Sequence, residues 1–252
     1  MTPEGVYVRI GATSQNTTDE LIRQMIIETS GITFEKNISI NQNLTFIYTD
    51  RIFKEKNLKF GNVEKKNLGL INEKGKYTNL GLLLSDQCPY TIKMAVYTNN
   101  TKTEFLDKKE TTIGSVLQQI EEANSYLKLN NKIAAKIIGL DRIENPEYSS
   151  EVLRECLLNS VGHRDYEIHG STLIHIFKDN IEFLSLGGLV KGLTVEDIKI
   201  GSSASRNPKL VSIFHRLGLV ETYGSGIPRI LDNYRNYRLK PEIVVAPHSF
   251  FI

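Results

Sequence analysis

The 252-residue sequence has only two cysteines, Cys88 and Cys156. Both lie in apolar stretches, a usage that excludes a disulfide-stapled scaffold and fits reduced thiols in a reducing compartment. No stretch approaches the roughly 18 consecutive apolar residues that a membrane helix needs, and no apolar segment preceded by basic residues opens the chain as a secretory signal would. A cytoplasmic location with no membrane partner is the expectation. Asn16, Asn37, Asn43 and Asn99 fall in N-x-[ST] triplets, which read as chance where no signal leads to the glycosylation machinery. An excess of one charge is also missing. The 31 Lys and Arg against 29 Asp and Glu leave a formal net charge of +2, so any nucleic-acid surface must be local.

Several catalytic signatures are absent too. There is no Ser-His-Asp order, nucleophile elbow or P-loop, which removes support for hydrolase and Walker-type NTPase chemistry. His163-Arg164-Asp165 looks like a kinase catalytic loop, but that chemistry needs an Asn five residues beyond the Asp, where Gly170 stands. His163, His169 and His175 are six apart, a spacing that suits neither helical metal pairs nor short zinc loops.

What remains is ordinary globular composition, 40% hydrophobic and 24% charged, enough for one large or two modest domains. Gly5 to Ile10 alternates as a strand, and Thr17 with Glu20 forms a capping-box spacing that opens a helix toward Glu28. Residues 1–29 read as the tail of an upstream domain. From Asn43 to Asp86 the pattern is helical and Lys-rich, with a turn at Lys74-Gly75 and Thr78 or Asn79 as a helix cap. Residues 30–110 then form a small helical and β subdomain of winged-helix type. Lys54, Lys56, Lys59, Lys65 and Lys66 read first as a solvated helix face and second as a contact to phosphate backbone. Thr91 to Tyr97 alternates as a strand, with Asn99-Asn100 as the turn to a partner at Thr103 to Leu106. Ile113, Val116, Leu117, Ile120 and Leu127 follow a helical repeat, with Gln118, Gln119, Glu121 and Glu122 on the opposite side.

The chemistry concentrates further on. Glu151 to Tyr166 carries an apolar helical stripe on which Glu155 and Asn159, four apart, project from one face toward the same ligand. An Asn carbonyl suits Mg²⁺, and a carboxylate beside it suits orientation of a water in phosphoryl chemistry. Strands at Thr172 to Phe177 and Ile181 to Leu184 run into Gly187-Gly188, where backbone can approach a ligand. Gly224-Ser225-Gly226 precedes an apolar helical stretch, as phosphate-binding helix starts often do. Asn207 reads as an N-cap with Pro208 at the first helical position, and Leu210, Val211, Phe214 and Leu217 as the buried stripe. Arg206 is the candidate for an anionic ligand.

Leu153-Arg-Glu-Cys-Leu-Leu-Asn-Ser-Val-Gly-His-Arg-Asp-Tyr166, Ile181-Glu-Phe-Leu-Ser-Leu-Gly-Gly-Leu189, Ser205-Arg-Asn-Pro208 and Tyr223-Gly-Ser-Gly-Ile-Pro-Arg-Ile230 resemble the GHKL-type domain of RecG-related transcriptional regulators, and Tyr77-Thr-Asn-Leu-Gly-Leu-Leu-Leu84 extends the likeness to about residues 60–240. Gly5 to Thr13 resembles the end of a Schlafen AlbA-type domain, the partner such regulators carry. The resemblance implies an α/β (α+β) fold, a two-layer sandwich of helices on a mixed sheet, with residues 111–252 as the ATP-binding domain. It implies ATP and Mg²⁺ as cofactors, and ATP, DNA and a second copy of the chain as partners. Glu155 would be catalytic, positioning the hydrolytic water, and Asn159 would hold Mg²⁺. Ser185, Gly187 and Gly188 would line the adenine side, Gly224, Ser225 and Gly226 the phosphate side, with His163, Arg164 and Arg206 facing the nucleotide. One departure stands out: Ser185 and Leu186 occupy the place of the Asp that receives the adenine amino group, and a hydroxyl makes a weaker bond there than a carboxylate. The implied activity is Mg-ATP binding with slow or no hydrolysis. The alternative is a non-enzymatic DNA-binding or scaffold protein with a degenerate nucleotide site.

Overall fold

The computed structural model describes residues 5, 7–10, 13–18, 22, 33–138, 141–221 and 224–252. Most of the helix expected from Thr17 to Glu28 lies outside them, as does Tyr223. The first strand, β1 (Tyr7–Ile10), pairs antiparallel with β2 (Thr13–Asn16) rather than leading straight into a helix.

Helices α1 (Ile47–Glu55), α2 (Asn62–Leu68) and α3 (Asn79–Leu84) precede β3 (Ile92–Tyr97) and β4 (Phe105–Glu110). Helix α4 (Val116–Asn130) leads to a separate hairpin, β5 (Ile133–Ile138) with β6 (Asp141–Pro146), and then to α5 (Ser150–Gly162). Strands β7 (Thr172–Ile176) and β8 (Ile181–Leu186) follow, then α6 (Val195–Lys199), α7 (Pro208–Arg216), α8 (Gly226–Asn233), β9 (Val244–Ala246) and β10 (Ser249–Phe251). The main sheet has the order β4-β3-β7-β8-β10-β9. Every pairing in it is antiparallel except that of β3 with β7. This is an open mixed sheet packed with helices, an α+β fold.

The local sequence explains the order. In β3 every side chain except Lys93 is buried, as an inner strand requires. The edge strand β4 is exposed throughout, and its Lys108 and Lys109 blunt an edge that would otherwise invite pairing with another chain. Leu153, Leu157, Leu158 and Val161 of α5 enter one continuous core that runs from Leu44 to Ile230 and includes Phe53, Leu83, Met94, Leu127 and Ile174. β3 and β4 are strands of the main sheet, so residues 33–110 contribute both to a helical layer and to the sheet itself.

Three smaller expectations meet mixed outcomes. Ile113 precedes α4 and is exposed, whereas Gln119 is buried, its Nε2 donating to Gly114 O at 2.6 Å. Thr78 does cap α3, its hydroxyl accepting from Gly81 N at 3.3 Å. Lys65 lies over the Phe46 and Phe60 rings and Lys54 pairs with Asp50, so part of the lysine run is engaged within the chain.

Asn207 is fully buried but caps nothing. Its Nδ2 donates to Gly162 O at 3.1 Å and Arg164 O at 2.7 Å, tying the start of α7 to the end of α5. The cap of α7 comes from far away in sequence. Glu35, in a single 3-10 turn (Phe34–Lys36), is 1% exposed. Its carboxylate accepts from Lys209 N at 2.7 Å and Leu210 N at 3.1 Å. Two of the amides that a helix start leaves unpaired are thus met by a charged acceptor. Glu35→Ala is expected to lower stability by about 2 kcal/mol, the cost of losing a cap and leaving its amides buried. Glu35→Gln, which keeps one acceptor oxygen, should lose less; denaturant midpoints of the two variants check this.

Candidate functional site

A cavity of about 370 Å³ opens between α5, the turn after β8, the segment 202–205, α7 and the start of α8. That volume lies within the range of small-ligand sites. Leu158, Val190, Ile198, Phe214, Ile227 and Phe250 supply an apolar wall. The sequence-derived candidates Glu155, Asn159, His163, Ser185, Gly187, Gly188, Gly224, Ser225 and Gly226 all border it. Three segments separated by up to 71 positions therefore converge on one space.

Helix α5 presents Glu155 and Asn159 together. Asn159 Nδ2 is 3.5 Å from Glu155 Oε1, the outer limit of a hydrogen bond, which leaves the amide oxygen available to a ligand. Burial pushes the Glu155 carboxyl above its ordinary value, while Arg229 and Arg154 pull it down. Arg229 Nη1 is 3.8 Å from Glu155 Oε2, and the same guanidinium reaches Glu151 and Glu221. His163 is held neutral, its pKa lowered chiefly by burial.

The glycines border the cavity for reasons other than open approach to a ligand. Gly187 has φ +97, and a Cβ there would fall 2.7 Å from Asp165 Cβ; one on Gly188 would fall 2.6 Å from Ala246 O. Their peptide groups are bonded within the protein: Gly187 N donates to His248 O at 2.8 Å, and Gly188 O accepts from Arg206 Nη2 at 3.1 Å. This turn is a joint between β8, Asp165 and the β9–β10 hairpin. At Gly224, with φ +65, a Cβ would overlap Gly201 O. At Gly226 it would overlap Glu155 Oε1, so absence of a side chain lets the start of α8 seat against the α5 acid. Ser185 is buried and its hydroxyl donates to Ser160 O at 2.7 Å, which fastens β8 to α5.

Two candidates stand elsewhere. Arg164 does not border the cavity; it is 2% exposed, lies over the Tyr90 and Tyr166 rings and donates to Gly170 O. Arg206 also lies outside the lining, its Nη1 3.2 Å from Asp165 Oδ2 and its Nη2 on Gly188 O. Both guanidiniums are engaged with neighbouring protein atoms. Sequence reasoning missed Glu221, Phe250 and the serines at 202, 203 and 205, all of which line the cavity. No spacing or residue type marked them, because strand pairing and loop packing bring them in.

The fold is α+β. Residues 170–252 match the family described as "Putative ATP-dependent DNA helicase recG C-terminal"; the match begins just before β7, leaving α5 ahead of it. The crystal structure of the DIP2311 protein from Corynebacterium diphtheriae is similar over 98% of this chain and 52% of its own, with a TM-score of 0.74 at 18% identity, a likeness of fold. The DNA polymerase III subunit alpha of Helicobacter pylori is 26% identical over 187 residues, 71% of this chain and 13% of the polymerase subunit. The chain thus spans about half of that crystal structure's chain and a small part of the polymerase subunit.

Glu155 supplies a prediction about pH. A carboxyl raised on folding favours the folded state while protonated; this contribution is complete below the ordinary value of 4.5 and is lost as pH rises through the raised value. Glu155→Gln keeps the shape without the charge. Its unfolding midpoint relative to the unmodified protein is expected to climb as pH increases above 4.5, measured by thermal denaturation across a pH series.

Proposed function

We propose that the chain is a nucleotide-binding regulatory module in which Mg-ATP occupies the cavity between α5 and α8 and thereby controls attached domains or a second copy of the chain. The observation that carries this reading is the convergence of Glu155, Asn159 and Gly226 on one cavity, in a chain whose residues 170–252 match an ATPase-like family. The donor set fits a hard cation in part. Asn159 offers an amide oxygen and Glu155 a carboxylate, and among the described residues no group of three or more His, Cys, Asp or Glu is placed to hold a metal ion, so the remaining ligands would be phosphate oxygens and water. A bound Mg²⁺ would supply charge neutralisation at the phosphates. Glu155, buried and drawn toward Arg229, is a poor match for rapid water activation, which agrees with slow or absent hydrolysis. Transcriptional regulation, an upstream AlbA-type domain and a cytoplasmic setting belong to the same proposal, supported by the sequence resemblance.

The second reading, a DNA-binding or scaffold protein with a degenerate nucleotide site, is favoured by one observation: the glycine turn at 187–188 and the Ser185 hydroxyl are bonded within the protein. Calorimetry separates the two. Mg-ATP is expected to bind the unmodified protein, and Asn159→Ala to weaken it by about ten-fold, the equivalent of one lost charge-assisted contact. No binding by the unmodified protein would leave the second reading ahead, to be tested by duplex-DNA titration at two salt concentrations, where lysine-to-phosphate contact predicts a steep loss of affinity with salt.

A further inference from the structure

The ionic character of the cavity runs against the ligand that the fold suggests. Among the described residues that line it, none is Lys or Arg, and the two carboxylates Glu155 and Glu221 are its only acidic groups. His163 is neutral. Arg164 donates to Gly170 O, and Arg206 to Gly188 O and Asp165, although the Nε of each has no partner; neither borders the cavity. Arg229, at the rim, is shared by Glu151, Glu155 and Glu221, three carboxylates around one guanidinium.

The other source of positive potential in such a cavity is a helix start, with its unpaired amides and dipole. Both helices that begin at this wall already face a carboxylate of the chain. On α7, Pro208 lacks an amide hydrogen and the amides of Lys209 and Leu210 go to Glu35. On α8, Gly226 seats directly against Glu155 Oε1, and Pro228 removes a further amide. A bare triphosphate entering here would meet two negative side chains, an α7 start whose amides are taken by Glu35, an α8 start seated against Glu155, and a largely apolar wall, and would lose water without gaining a cation.

We propose that the cavity recognises the base and sugar of a nucleoside, and that phosphates without a divalent cation weaken binding instead of strengthening it. This rests on the nucleotide reading above and narrows it: affinity resides in the uncharged part of the ligand, the apolar wall taking the face of the base. Among simple ligands, adenosine is then the better occupant whenever Mg²⁺ is withheld.

Calorimetry with the full chain tests the idea, using adenosine, ATP in EDTA, and ATP with excess Mg²⁺. Adenosine is expected to bind about ten-fold more tightly than ATP in EDTA, as repulsion from two carboxylates at partly screened distances implies. Glu221→Gln, at the exposed rim, is expected to raise the affinity for metal-free ATP several-fold while leaving that for adenosine within about two-fold. Metal-free ATP binding as tightly as adenosine, or more tightly, overturns the proposal and leaves the nucleotide reading intact. Failure of adenosine and Mg-ATP alike overturns both. An unchanged metal-free ATP affinity in Glu221→Gln, with folding verified by the thermal midpoint, also counts against it.

Discussion

The parallel pairing of β3 with β7 is the constraint from which the site follows. Two strands running the same way cannot be joined by a tight turn; the chain must leave the sheet, travel back along its face and re-enter. Here the return is made through β4, α4, the β5–β6 hairpin and α5, and α5 is the last limb before β7. With Leu153, Leu157 and Val161 committed to the core, the helical period leaves Glu155 and Asn159 facing sideways into the space that α7 and α8 later enclose. The acid and the amide sit where they do because the sheet demands a crossover.

Enclosing that space creates a problem of charge. Burying helix starts beside a cavity leaves amides in need of partners, and this protein supplies some from carboxylates, Glu35 for α7 and Asp197 in the capping box of α6, while the Glu155 carboxylate packs against the start of α8. The choice stabilises the frame and at the same time removes its capacity to attract anions. The glycines obey the same logic, since Gly187, Gly188 and Gly224 are required by neighbouring protein atoms. The scaffold and any ligand compete for the same donors, and the scaffold already holds most of them.

Much of this was legible in the chain. The spacing of Glu155 and Asn159 fixed their common face because a single helix's period decides it, and the alternation at Ile92–Tyr97 and Thr172–Ile176 marked two inner strands. Local patterns fail where partners are distant. Nothing around Asn207 distinguishes a residue that caps its own helix from one that bonds Gly162 and Arg164 O while Glu35 does the capping. Arg164 and Arg206 looked like anion ligands because charge suggests exposure, yet rings and carbonyls surround the first, and Asp165 and Gly188 hold the second. The register that joins β3 to β7 likewise crosses 80 positions and leaves no local trace. β9 and β10, three residues each, are too short for periodicity to register.

The last strand carries a practical consequence. Ile252 exchanges both backbone hydrogen bonds with Phe183, at 2.8 and 3.1 Å, and Phe250, two residues and roughly 7 Å of strand away, forms part of the cavity wall. A fluorophore attached to a cysteine placed at position 252 would therefore be anchored by the sheet at a fixed position near the wall, with little tether to blur its surroundings. Its emission would respond to displacement of β10 when the space beside Phe250 fills, turning the protein into its own gauge of occupancy.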